Sequence, residues 1–343
     1  MTANPLDASV IVPSHRGTHR LPALLDALAR QDHPGPWEVL VVLDGVLDDS
    51  PEVLEGWQAR LPLRVLRSEE PRGVVAALND GFAAARGRVL IRCDDDLTPE
   101  PHMVRGHVEN HRGRDDLGVS CAMRDVVTDT PYARTYGAAT GRRRLEQWYT
   151  RPAALRWVDW SAHNSVTRAA WQRLDHGFDP RFVYGQDSEL GYRLARSGVR
   201  IVVDPALEIE HRGAALSAAN RVPRAYVAGA SRALFERVHG TSHAAAEPAP
   251  ASAREHVWAT AVAAVAWALR DWSSYQRLGR VVERSAPRLP RALGSRLVAL
   301  ATEAAGRAGR LHGPTDLSTL TTQKVRELDR EREVRDVREP PAR

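Results

Sequence analysis

Lysine and cysteine are nearly missing from this sequence. Lys324 is the only lysine among 48 basic residues, and Cys93 and Cys121 are the only cysteines in 343 residues. Two cysteines exclude a disulfide framework and a cysteine-based zinc site. Both fall in expected buried strands, where a small apolar role is the reading. Long hydrophobic runs are also missing: the longest, Val257–Leu269, is too short to cross a bilayer. The N-terminal stretch Met1–Asp7 lacks the basic and apolar regions of a signal peptide. A cytoplasmic location is therefore expected. The net charge of +5 is carried by arginines spread along the chain and not gathered into a stripe, which argues against nucleic-acid binding. No internal repeat is present.

The apolar fraction of 43% is ample for a core. In the first hundred residues, short β-rich runs alternate with helical patterns. Strands are expected at Ala8–Pro13, Trp37–Leu43, Leu63–Leu66 and Arg88–Cys93, with helices at Leu21–Arg30, Glu52–Arg60 and Val74–Ala85. Near-continuous apolar strands between helices imply an α/β fold with a parallel sheet covered on both faces. Ligands of such sheets sit outside the carboxyl ends of the strands. Pro13–His15, Asp44–Gly45 and Asp94–Asp96 are thus expected to line one crevice.

Residues 115–212 read as short strands (Gly118–Ala122, Val199–Val203) among tryptophan-rich loops. Helices then dominate, at Arg224–Val238, Ala253–Trp272, Tyr275–Arg284 and Arg288–Ala308, with a linker at Ala244–Ser252. The expected division is a sheet domain over 1–222, a helical region over 223–312 and a charged tail over 313–343, either a lone helix or disordered.

The triplet Asp94-Asp95-Asp96 closes an apolar strand. Adjacent carboxylates repel, and alternating Asp94 and Asp96 suit Mg²⁺ or Mn²⁺ as hard oxygen ligands. Taken alone, the triplet reads as a solvated acidic turn before it reads as a metal site, because short motifs match by chance.

Ile11–His15, Val42–Gly45, Arg72–Asn79, Asp94–Asp96 and Gly185–Arg193 occur in an order that resembles family 2 glycosyltransferases. The resemblance covers about residues 8–215. It implies a GT-A fold: a Rossmann-like, mostly parallel sheet with helices on both faces, followed here by the C-terminal helical region. It also implies an inverting transfer of one sugar from a nucleotide-diphosphate sugar to an acceptor hydroxyl, with a divalent cation, Mn²⁺ or Mg²⁺, as cofactor.

Residue by residue, Asp44 matches the aspartate that takes the N3–H of a uracil or thymine, with Leu43 where an acidic residue is common. Pro13 and the Ser14–Arg16 loop, His15 included, would flank the base, with Arg16 toward phosphate. Arg72 lies in the loop along the nucleotide, and Asn79 is a looser match. Asp96 is expected as direct metal ligand and Asp94 as a contact to ribose or to the metal's water shell; the triplet leaves the register open, so Asp95 is retained. Asp187 matches the catalytic aspartate, with Gln186 in place of glutamate and Glu189 as second choice for base. His211 matches a histidine that reaches the metal or diphosphate, and Trp160 is a candidate sugar platform.

No Gln-x-x-Arg-Trp motif is present, so a non-processive transfer is expected. The donor is read as UDP- or dTDP-linked; acceptor (glycan, lipid-linked or small molecule) and oligomeric state are open. Trp258, Trp267 and Trp272 leave a peripheral contact with the inner membrane face open. The competing reading is a non-catalytic nucleotide-sugar-binding or scaffold protein on the same fold, motivated by Leu43 and Gln186. A sugar-nucleotide pyrophosphorylase fits poorly, because Pro13–Gly17 is not a glycine-rich phosphate loop.

Overall fold

The computed structural model describes residues 6–213, 215–242 and 251–320. Most of the expected linker, and the tail from residue 321 onward, lie outside them. Along the chain run β1 (Ala8–Ser14), α1 (Leu21–Ala29), β2 (Trp37–Leu43), α2 (Ser50–Glu55), β3 (Leu63–Arg67), α3 (Val74–Ala84), β4 (Val89–Cys93), β5 (Leu97–Thr98), α4 (Met103–Asn110), β6 (Leu117–Ser120) and β7 (Met123–Asp125). They continue with α5 (Ala138–Thr150), β8 (His163–Thr167), α6 (Arg168–Gln172), α7 (Gln186–Arg196), β9 (Arg200–Val203), β10 (Ile209–His211), α8 (Ala218–His239), α9 (Ala253–Ala268), α10 (Trp272–Ser285) and α11 (Arg291–His312).

A seven-stranded sheet has the order β3-β2-β1-β4-β8-β6-β9, and a three-stranded sheet has the order β5-β10-β7. β1 pairs parallel with β2 and β4, while β8 runs antiparallel to both β4 and β6. The sheet is mostly parallel, as expected. Because side chains alternate across a strand, its two faces feed two cores. Ile11, Leu40, Leu90 and Val166 face α3, α7 and the rings of Phe82, Trp160 and Phe178. Val10, Val39, Ile91 and Cys93 face the leucines of α1 and Met103 and Val104 of α4. Each large side chain buried this way contributes about 1.5–3 kcal/mol.

Several boundaries differ from expectation, for local reasons. α2 stops at Glu55, and residues 56–60 form turns. The helix expected to run through Trp272 ends at Ala268, because Asp271 caps a new one: its carboxylate accepts from the Ser274 N–H at 2.9 Å and the Ser274 hydroxyl at 2.8 Å. α8 begins before Pro223, capped by Ser217, so residue 222 lies inside a helix. α4 and α5 were not expected; α5 buries only Trp148 and offers little apolar period to read.

The helical layer rests on small residues. α8 crosses α11 backbone to backbone: a Cβ on Gly229 would strike the Gly306 carbonyl, and one on Gly309 would strike the Tyr226 carbonyl. No helix among the described residues is long and apolar enough to cross a membrane.

Candidate active site

The carboxyl ends of β1, β2 and β4, expected to line one crevice, lie side by side in the sheet. Here the Asp44 carboxylate accepts the backbone N–H groups of Arg72 at 2.6 Å and Gly73 at 2.9 Å, tying β2 to the start of α3. His15 donates from Nδ1 to the Asp44 carbonyl at 2.8 Å. Pro13 is buried in β1, and Arg16 is exposed in a left-handed backbone conformation at φ 50°. The Arg72 guanidinium turns outward to Asp80, so only its main chain meets Asp44.

The three aspartates of the triplet have separate partners. Asp95 is buried and takes Ser14 Oγ–H at 2.6 Å and two nitrogens of Arg20 at 2.9 Å. It clamps β4 to the loop after β1, and both of its oxygens are engaged by protein. Asp94 accepts Arg92 Nε at 2.8 Å and Nη2 at 3.0 Å. Asp96 turns the other way, its Oδ2 lying 3.7 Å from His211 Nε2.

Arg92 was missed by the sequence reading. It is 2% exposed, stands in the middle of an apolar strand, and its remaining nitrogen Nη1 pairs with Asp187 at the start of α7. Burial works against its charge, but Asp187 and Asp94 outweigh that and raise its pKa. In return, burial pushes the Asp94 carboxyl up to about 6 against the pull of Arg92, with Asp96 and Asp187 adding to the rise. The signal was in the sequence: an arginine inside Val-Leu-Ile-Arg-Cys is tolerated only if paired.

The small sheet builds the other side. Its register sets His211 beside Leu97 on one edge and Asp125 on the other. Asp125 accepts from His211 Nδ1 at 2.7 Å and from Arg144 at 2.6 Å. Burial raises the Asp125 pKa, but these two partners win and hold it below its ordinary value. Asp125 fixes the Nδ1 edge of the His211 ring, so that Nε2 faces Asp96. Gly213 completes the cradle, since a Cβ there would run into both Asp96 Oδ2 and His211 Nε2. Asp125 was also missed, because only strand pairing brings it to His211; Gly213, two residues after His211, was missed because its closeness to Asp96 is set by the fold.

At the start of α7, Gln186 Nε2 reaches Asp187 Oδ2 at 3.5 Å. Glu189 is buried and bound by Arg193 at 2.7 and 3.0 Å and by His239 at 3.1 Å, a structural ion pair facing away from Asp187's partners. Asn79 clamps the backbone of Phe178 in both directions, at 2.9 and 2.7 Å. Trp160 corrects an expectation: it is 2% exposed within the core and presents no face to a sugar.

Residues 9–175 match the family described as Glycosyl transferase family 2. The uncharacterized glycosyltransferase YfnE of Bacillus subtilis (strain 168) is 33% identical over 114 residues, 33% of this chain and 29% of that protein. Dolichyl-phosphate beta-glucosyltransferase of Drosophila melanogaster is 38% identical over 101 residues, 26% of this chain and 31% of that protein. The matched part of the chain thus spans about a third of the length of these relatives. Mannosyltransferase PcManGT from Pyrobaculum calidifontis, solved with GDP-Man and Mn²⁺, superposes with a TM-score of 0.55 at 22% identity, covering 98% of this chain and 88% of that one. Its likeness is one of fold. Residues 9–175 are thus a glycosyl transferase family 2 domain, and the mostly parallel sheet with its ordered loops has the GT-A fold.

Proposed function

We propose that the chain is a metal-dependent inverting glycosyltransferase that moves one sugar from a UDP- or dTDP-linked donor to an acceptor hydroxyl. The observation that carries this reading is Arg92, which ties Asp94 on the nucleotide side to Asp187 on the acceptor side. Asp44 would receive the base N3–H: a carboxylate has roughly four lone-pair sites, and two are taken by the Arg72 and Gly73 amides. Pro13 and His15 would flank the base, with Arg16 near the phosphates and Asp94 at the ribose.

The donor set of Asp96 and His211 fits a hard divalent cation, with Asp125 orienting the histidine as metal-bound histidines are usually oriented. Bound there, Mn²⁺ or Mg²⁺ would supply charge neutralisation for the departing diphosphate. Asp187 would remove the proton from the acceptor hydroxyl as that oxygen attacks the anomeric carbon. Its pairing with Arg92 aims it before the acceptor arrives.

The test is a panel of nucleotide sugars with Mn²⁺ and Mg²⁺, read first by thermal shift and then by NMR of the product's anomeric configuration. Donor binding with inverted product, lost in Asp96→Ala and Asp187→Asn, is the expected result. Full activity in either variant, or a retained configuration, would overturn the assignment. Nucleotide binding by calorimetry without turnover on a broad acceptor panel would favour a non-catalytic binding protein.

A further inference from the structure

Behind the crevice, on the opposite face of the sheet, lies a second cluster of ligand-type side chains. His107 comes from α4, Cys121 follows β6, and His163 opens β8. Their ligand atoms, two imidazole nitrogens and one sulfur, all lie within 4.8 Å of one another, and all three residues are fully buried. His107 Nε2 is 3.2 Å from His163 Nε2 and 3.7 Å from Cys121 Sγ. For bond lengths of about 2.0–2.1 Å to nitrogen and about 2.3 Å to sulfur, both separations correspond to nearly tetrahedral angles at one central ion.

The far side of each ring is already fixed. His163 donates from Nδ1 to the Arg92 carbonyl at 3.1 Å, and His107 Nδ1 meets Ser165 Oγ at 2.7 Å. Ser165 is held in turn by His111 Nε2 at 2.8 Å. The backbone carbonyl sets the His163 tautomer that leaves Nε2 as a donor to a metal, and the Ser165 hydroxyl, able to donate or accept, lets His107 take the same tautomer when a metal replaces the hydrogen bond between the two Nε2 atoms. Burial holds His163 down at about 4 and His107 well below its ordinary value, so both rings are neutral. A narrow cleft lined by His102, Met103, His163 and Leu207 borders the cluster.

Against the expectation from cysteine count alone, we propose that His107, Cys121 and His163 form a soft-metal site for Zn²⁺, distinct from the Asp96–His211 cradle, with two histidines supplying the donors that the cysteines lack. Binding takes the proton from the Cys121 thiol to solvent and forms two Zn–N bonds and one Zn–S bond, leaving the fourth position to a water. The ion staples α4, the end of β6 and the start of β8 behind the β4 strand that carries Arg92. Its donors are two imidazoles and a thiolate, whereas the cradle offers a carboxylate and an imidazole, so the sites select different metals.

The test uses the full chain loaded with Zn²⁺ or with Co²⁺ as a spectroscopic substitute. One equivalent of zinc by elemental analysis, and a thiolate-to-cobalt charge-transfer band with tetrahedral d–d bands, are expected. The band should persist in Asp96→Ala, His211→Ala and Cys93→Ser and vanish in Cys121→Ser. Folded wild-type protein that takes up no stoichiometric zinc and gives no charge-transfer band would overturn the proposal, whatever the variants do. A band that survives Cys121→Ser and disappears in Cys93→Ser would overturn the ligand assignment.

Discussion

The two faces of the sheet at β4 and β8 use paired residues in opposite ways. On one face Arg92 stands opposite Asn164 and gathers Asp94 and Asp187; on the other Cys93 stands opposite His163 and the neighbouring rings of His107 and His111. The first face is charged and partly open, with Asp94 and Asp187 side chains 23% and 21% exposed. The second is neutral and closed, with His107, His111 and His163 all at 0%. Charge needs solvent or partners, whereas neutral imidazoles accept complete burial when most of their ring nitrogens find partners, as all but Nδ1 of His111 do here. Adjacent residues of one strand therefore serve two chemistries because a strand sends neighbours to opposite sides.

The largest effects should come from the open face. Asp187→Asn should lower kcat by about 10²–10⁴ and, by leaving the buried Arg92 with Asp94 alone, should also lower the urea midpoint; Asp96→Ala should be comparably damaging to kcat with little change in midpoint. A large midpoint shift in Asp96→Ala would mean that this carboxylate is structural. Next, Arg92→Met leaves two carboxylates without their buried cation and should cost about 3–5 kcal/mol in urea unfolding. Adding Asp187→Asn to that variant should restore part of the loss; strict additivity would show that the pair is not coupled.

Asp125→Asn should weaken Mn²⁺ binding about 10–100-fold, read by Mn²⁺ EPR titration in the presence of UDP. Gly213→Ala should act in the same direction by crowding Asp96 and His211. Unchanged Mn²⁺ affinity in both would place the cation elsewhere.

The smallest effects, in pH dependence, should have opposite signs on the two faces. His163 is held at about 4 in the fold against 6.5 unfolded. The unfolded chain therefore protonates first, and this contribution, complete above 6.5, is lost as pH falls toward 4. Asp94 sits at about 6 in the fold against 3.8 unfolded, so its contribution is complete below 3.8 and lost as pH rises through 6. Urea midpoints of chelator-treated protein across this window should fall less steeply on acidification in His163→Gln and more steeply in Asp94→Asn. The same direction of change in both variants would break the comparison.

Much of this was legible in the sequence. Continuous apolar runs announced the parallel strands, and Asp44, Asp94–Asp96, Asp187 and His211 stood at strand or helix ends where polar residues have little structural reason to gather. Asp95 shows the limit: all three carboxylates look alike in sequence, yet Arg20 and Ser14 claim the middle one. Trp160 shows another, since a tryptophan near a site serves core and platform equally well until its burial is known. α5 was illegible because a helix with one buried residue carries no apolar period.

The sequence by itself determined the sheet and which residue types reach its carboxyl edge, because hydrophobic period and chain order act locally. Tertiary structure alone decided who pairs with whom. Arg92 meets Asp187 across 95 positions, and His211 meets Asp125 across 86. His107, Cys121 and His163 meet across three elements. Such encounters follow from strand register and helix placement, which depend on the packing of the whole core and on no short segment of the chain.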